Sequence, residues 1–137
     1  MDAYTLVRTE HLNHNGKLFG GQLLKWVDEY AWLAAAKEFP CNILVTRAME
    51  HIEFRHTVPN GAILRFHMEK VRQGVTSADF TVDVYSDTRA GERERYIFSN
   101  KVTFVAIDEE GKKTPLLVQP NPENKNCADY QIGRAHV

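Results

Sequence analysis

Residues 13–28 read NHNGKLFGGQLLKWVD and hold the side chains whose types and spacing best fit a chemical task. Gly20 and Gly21 stand where an amphipathic helix begins. Glycine is a poor helix-interior residue, so a pair in the first turn suggests a close approach to the backbone. First-turn N–H groups lack intrahelical partners and carry the positive end of the helix dipole, which suits them to an oxyanion. Upstream lies a polar loop with Asn13 and Asn15. Two helical turns downstream, Asp28 interrupts the apolar side. Backbone donors, a positioning loop and a carboxylate point together to acyl chemistry.

Each residue also has a plainer reading. Asp28 alone reads as a solvated helix residue beside Lys25, since acids are mostly exposed. Asn13 alone reads as a turn or cap residue. The glycine pair alone is equally a tight entry into the helix. Position on the helix favours the chemical reading: at 100° per residue Asp28 falls at the rim of the apolar stripe, on the side of Gly21.

Other constellations are weaker. His51 and His56 could approach each other, but no Cys or acid cluster completes a ligand set, so no metal is expected. Cys41 and Cys127 are too few for a disulfide framework and lack an evident base partner. Ser77 and Ser99 sit in no nucleophile-elbow motif. Trp26, Tyr30 and Trp32 read as packing residues that could also line an acyl tunnel.

The elements that must position these groups follow from periodicity. Residues 4–9 read as a short strand and 10–19 as a loop. The segment from Gly20 to about Phe39 reads as a helix stopped by Pro40. Leu23, Leu24, Val27, Ala31, Ala34 and Ala35 share its apolar stripe, opposite Gln22, Lys25 and Glu29. After Pro40 the chain reads as strand. Alternation places Ala62, Leu64, Phe66 and Met68 inward, then Ala78, Phe80, Val82 and Val84, then Tyr96, Phe98, Val102, Phe104 and Ala106. Within 42–57, Ile43 and Val45 alternate and the phase slips near Glu50, which predicts a bulge. Turn signals lie at Pro59-Asn60-Gly61, Gln73-Gly74, Ala90-Gly91 and Glu110-Gly111. A lone apolar helix must be covered by the sheet. The expected fold is α+β: one domain with an antiparallel sheet wrapped around a central helix.

Size and charge narrow the field further. At 137 residues the chain suffices for one core. Lysine and arginine total 17 against 18 acids, which offers no footprint for nucleic acid or an anionic membrane. No apolar run approaches the roughly 20 residues of a membrane span, and the first residues lack a signal-peptide pattern, so the cytoplasm is expected. The last six residues, 132–137 (IGRAHV), resemble a translated frame of a common sequencing adapter and are expected to be non-native. The domain is therefore placed at 1–131, with a tail from about 117.

The order of elements, with Asn13, Gly16, Leu18, Phe19, Gly20, Gly21, Leu23, Leu24, Val27 and Asp28, resembles the hotdog-fold acyl-CoA thioesterases, in particular the bacterial YciA-like and mammalian cytosolic acyl-CoA hydrolase group. Weaker similarity runs through VTRAMEHIEF, RQGVTS and KVTFVAIDEEGK, spanning about residues 5–116. One departure is His11, where related sequences often carry Asp. The resemblance implies that Asp28 is the catalytic base or nucleophile and Asn13 its polar partner. It implies that the N–H groups near Gly20 and Gly21 form the oxyanion hole, and that Gly74, Thr76 and Ser77 lie near the CoA moiety. It further implies a homodimer with Asn13 and Asp28 contributed by different chains, or a hexamer of three dimers, and no cofactor beyond the CoA of the substrate. Two alternatives remain beside hydrolysis: a non-catalytic acyl-CoA-binding or regulatory module, and a dehydratase or hydratase. The latter lineages use a catalytic His, and this helix has none.

Overall fold

The computed structural model describes residues 1–87 and 93–117. The suspected adapter tail, Cys127 and the turn signal at Ala90-Gly91 lie outside the described residues. In chain order the elements are β1 (Asp2–Leu6), a 3-10 turn (Thr9–His11), α1 (Gly20–Glu38), β2 (Ile43–Phe54), β3 (Ile63–Gln73), β4 (Ser77–Asp87) and β5 (Arg95–Ile107). The five strands form one antiparallel sheet in the order β1-β3-β4-β5-β2. No helix among the described residues is long and apolar enough to cross a membrane.

The helix lies against one face of the sheet, as its apolar stripe requires. Leu23, Val27, Ala31, Ala34 and Ala35 are buried, and Leu24 is half-buried against the same core. Trp26 joins them, with its ring edge-on to His11 at 4.7 Å and to Phe66 at 6.4 Å. An indole is wide enough to reach the core from the edge of a stripe. Opposite α1, the sheet presents Leu64, Phe66, Met68, Phe80, Val82, Val84, Phe98, Val102 and Phe104, all buried as their alternation predicts.

The structure corrects two details of the sequence reading. The first strand ends at Leu6 rather than continuing to Thr9. Val7 still bonds Ala62 across the sheet edge, but the His11 ring accepts the Arg8 N–H at 2.9 Å and turns the chain into the 3-10 segment. Tyr96 does not share the inner face with Phe98. Pairing jumps from Val84–Phe98 to Tyr85–Tyr96, leaving Ile97 as an extra residue, and the bulge flips Tyr96 outward to stack on Tyr85 at 5.1 Å. In β2 the buried residue is Leu44, while Ile43 and Val45 are exposed. The predicted phase slip is present. The β2–β5 ladder shifts between Thr46 and Ala48 and again between Glu50 and Glu53, where His51 has φ 55°.

Candidate active site

Asn13 anchors the loop ahead of the helix. Its side-chain oxygen accepts the N–H groups of Asn15 at 2.9 Å and Lys17 at 3.1 Å, while its own N–H donates to Lys17 O at 2.7 Å. Gly16 closes this turn with φ +74°, in the left-handed region where a Cβ is strained. The carboxamide oxygen is thus committed to the turn, and the amide NH2 is the part of Asn13 that can serve another molecule. The loop is tied to the helix entry where Phe19 N–H donates to His11 O at 2.9 Å.

At the helix start, the N–H groups of Gln22 and Leu23 both donate to Phe19 O, so Gly20 and Gly21 precede the hydrogen-bond ladder. The Phe19 ring lies against Gly21, where a Cβ would meet it at 2.6 Å, and the Phe54 ring lies 3.5 Å from the corresponding point on Gly20. In one chain the close approach foreseen at the glycines is therefore made by aromatic rings. Phe19 is 56% exposed, so its ring is free to give way. A cleft of about 260 Å³ opens beside Gly20, with Leu18, Leu23, Phe54 and Val58 forming its apolar part.

Asp28 is half-buried on α1, and its Oδ1 accepts a hydrogen bond from Thr46 Oγ1 on β2 at 2.6 Å. Both line a separate cleft of about 370 Å³ with Glu29, Trp32 and Leu33. The Trp32 indole N–H donates to Leu44 O at 3.1 Å and fixes this part of the helix over β2. Thr46 carries no sequence signal of its own, because threonine is an ordinary strand residue. Its role becomes visible only when β2 is laid beside the helix.

The structure ties the Asn13 loop to the helix entry through the Phe19–His11 bond, while Asp28 stands apart from the glycine pair. Gly20 and Asp28 are eight residues apart on one helix, about 12 Å along its axis. The Gly74–Ser77 turn stands elsewhere, where β3 meets β4. Gly74 N–H donates to Ser77 O at 2.7 Å, and Ala106 N–H donates to Thr76 O at 2.9 Å. Arg72 bonds Ser77 Oγ at 2.8 Å and Asp79 at 2.6 Å. The Arg72 guanidinium holds the Asp79 carboxyl below its usual range against the opposing push of burial, with Thr103 assisting. Among the described residues, no three His, Cys, Asp or Glu side chains are grouped to hold a metal ion.

Residues 15–92 match the Thioesterase superfamily. The chain is 35% identical over 120 residues to the mouse protein acyl-coenzyme A thioesterase 11, covering 88% of this chain but only 20% of that protein. It is 31% identical over 118 residues to the acyl-CoA thioester hydrolase YciA of Salmonella typhimurium, covering 84% of this chain and 88% of the relative. Its fold superposes on an apo-hexameric acyl-CoA thioesterase with a TM-score of 0.80 at 27% identity, over 99% of this chain and 88% of that one. With a family match over more than half its length and a bacterial relative aligned over most of both chains, the chain belongs to the hotdog-fold thioesterase superfamily.

Proposed function

We propose that the chain hydrolyses acyl-CoA thioesters at a site assembled from two copies, releasing CoA and a carboxylic acid. The observation that carries this reading is the division of one helix into two chemical halves. Its N-terminus offers backbone donors, with the Asn13 loop just ahead of it in the chain; two turns on it offers a carboxylate held by Thr46. The halves are too far apart to act on one carbonyl within a chain. A two-fold partner that brings its Asp28 to the first chain's glycine pair completes the set. Edge strand β2 supports such a partner: Ile43, Val45, Ile52 and Phe54 are 47%, 39%, 41% and 52% exposed. An apolar edge with an unpaired backbone invites a second strand.

In the proposed site, Thr46 holds one carboxylate oxygen of Asp28, and the other attacks the thioester carbonyl or deprotonates a water that does. The Gly20 and Gly21 N–H groups receive the oxyanion, and the Asn13 NH2 orients the carbonyl or the water. A positioned base contributes about 10²–10⁴-fold and an oxyanion donor about 10²–10³-fold, enough for useful turnover without a metal or redox cofactor. The Gly74–Ser77 turn contributes to holding CoA, and the working form is a homodimer or a hexamer of such dimers, as expected of a cytoplasmic enzyme.

The test uses two variants and their mixture. Asn13→Ala and Asp28→Ala should each lose thioester hydrolysis while remaining folded. Unfolded together and refolded as a mixture, they should regain activity, because each mixed dimer contains one intact Asn13–Asp28 pair. Full activity of Asp28→Ala alone overturns the chemistry, and inactivity of the mixture overturns the shared site. Tight acyl-CoA binding without turnover by the wild type establishes the binding-module alternative.

A further inference from the structure

Asn100 is an anomaly of the core. It is 4% exposed, and neither its Oδ1 nor its Nδ2 has a hydrogen-bond partner among the described residues. Buried polar groups are nearly always paired, and a carboxamide left unpaired opposes folding. Asp79 and Thr103, buried on the outer face of the same sheet, follow that rule and bond each other at 2.7 Å. Asn100 lies on the inner face, in step with Phe98, Val102 and Phe104 along β5, and its ladder partner Val82 is fully buried. An aliphatic side chain would suit these neighbours without the polar penalty.

Its place on the sheet relates it to the proposed site. Gly20, Leu24 and Asp28 form one i, i+4, i+8 row on α1. Phe54 lies against Gly20 and Thr46 bonds Asp28, so this row runs along β2 between those two residues. Their ladder partners on β5 are Phe98 and Phe104, and Asn100 stands between the two levels. The ladder is irregular there: pairing passes from Glu50–Lys101 to Glu53–Ser99, so His51 and Ile52 together oppose Asn100. The cleft beside Gly20 leads the same way. Its Phe54 wall rests edge-on against Phe98 at 5.1 Å, and Asn100 follows Phe98 by two strand residues, about 7 Å on the same face. Phe54 is 52% exposed, so its ring can swing aside.

We infer that Asn100 selects the acyl group, favouring a chain that carries a hydroxyl several carbons beyond the thioester. With its carbonyl on the Gly20 and Gly21 N–H groups, such a chain enters the cleft beside Gly20, displaces the Phe54 ring and passes Phe98. Its hydroxyl then meets the carboxamide. The carboxamide offers an NH2 donor and an acceptor oxygen, and a hydroxyl both donates and accepts, so the two pair reciprocally. A plain chain leaves the carboxamide unpaired in the complex, which is the source of discrimination. This rests on the thioesterase reading and adds the class of acyl group taken.

The experiment compares straight-chain acyl-CoAs with the same esters carrying one hydroxyl at successive mid-chain positions. In the wild type, kcat/KM for the best-placed hydroxyacyl ester should exceed that of its plain counterpart about tenfold or more. In Asn100→Leu the ratio should fall to near unity, and the protein should melt no lower than the wild type because the unpaired groups are gone. Asn100→Val repeats the comparison with a smaller side chain. A wild type that hydrolyses the plain esters at least as well as every hydroxyacyl ester overturns the assignment and leaves the thioesterase reading intact. Retention of the preference in the folded variants also overturns it. Thioether analogues, which cannot be hydrolysed, separate the inference from its premise. A wild type that turns over no ester refutes the thioesterase reading. Tighter calorimetric binding of the hydroxylated thioether, lost in Asn100→Leu, then still supports the assignment, and equal binding of the two thioethers overturns it.

Discussion

At the scale of single residues, Thr46 has the most specific consequence for the proposed chemistry. Its hydroxyl is bound to Asp28 Oδ1 at 2.6 Å and fixes the carboxylate rotamer. Thr46→Val keeps the shape of the side chain and removes the donor. The expected result is a fall in kcat of roughly tenfold with KM nearly unchanged, and recovery in Thr46→Ser. A rise in KM at constant kcat would instead make Thr46 a substrate contact. Asp28 itself was legible in the sequence because an acid on the rim of an apolar stripe is conspicuous. Thr46 was not, because hydrogen bonding across 18 residues depends on how β2 is laid over the helix.

At the scale of elements, the edge strand β1 is clipped to β3 by an imidazole. His67 Nδ1 lies 2.5 Å from Asp2 Oδ1 and Nε2 lies 2.8 Å from Glu69 Oε1. Only the doubly protonated ring can donate to both. Asp2, and then Glu69, push the His67 pKa above its ordinary 6.5 against the opposing effect of burial. Arg65 in the same strand and Asp83, which pairs with His67 across the β3–β4 ladder, belong to the charged surroundings. A raised folded-state value means the clip stabilises fully below about pH 6.5 and loses its contribution as pH rises through that value. Amide hydrogen exchange of β1 should therefore accelerate with pH beyond the intrinsic rate, and His67→Gln should abolish that excess. Exchange that follows the intrinsic rate in both proteins would show that the clip does not hold the strand. The bulges illustrate what periodicity reveals. The slip near Glu50 was legible because two apolar phases disagree, whereas Ile97 was hidden because both it and Phe98 are apolar.

At the scale of the whole molecule, the shared site proposed above depends on the exposed edge of β2. Val45→Lys with Ile52→Lys changes side chains already exposed in the single chain, so folding should be nearly unaffected. Charge on that edge should oppose strand pairing, giving a monomer by light scattering and loss of hydrolysis together. A fully active monomer would require a site within one chain, which the separation of Gly20 and Asp28 along the helix does not provide.

The sequence by itself determined the class of fold and half of the candidate site. Period-two and 3.6-residue patterns are local, and Asn13, Gly20, Gly21 and Asp28 lie within one loop and one helix, where spacing translates directly into position. The tertiary structure decided what depends on distant segments meeting. It set Thr46 against Asp28 and committed the Asn13 oxygen to its own turn. It also turned Tyr96 outward through a bulge and bridged Lys17 to Pro59. These relations depend on strand register and on how the helix is laid on the sheet, which are settled by packing across the core rather than by neighbours in the chain.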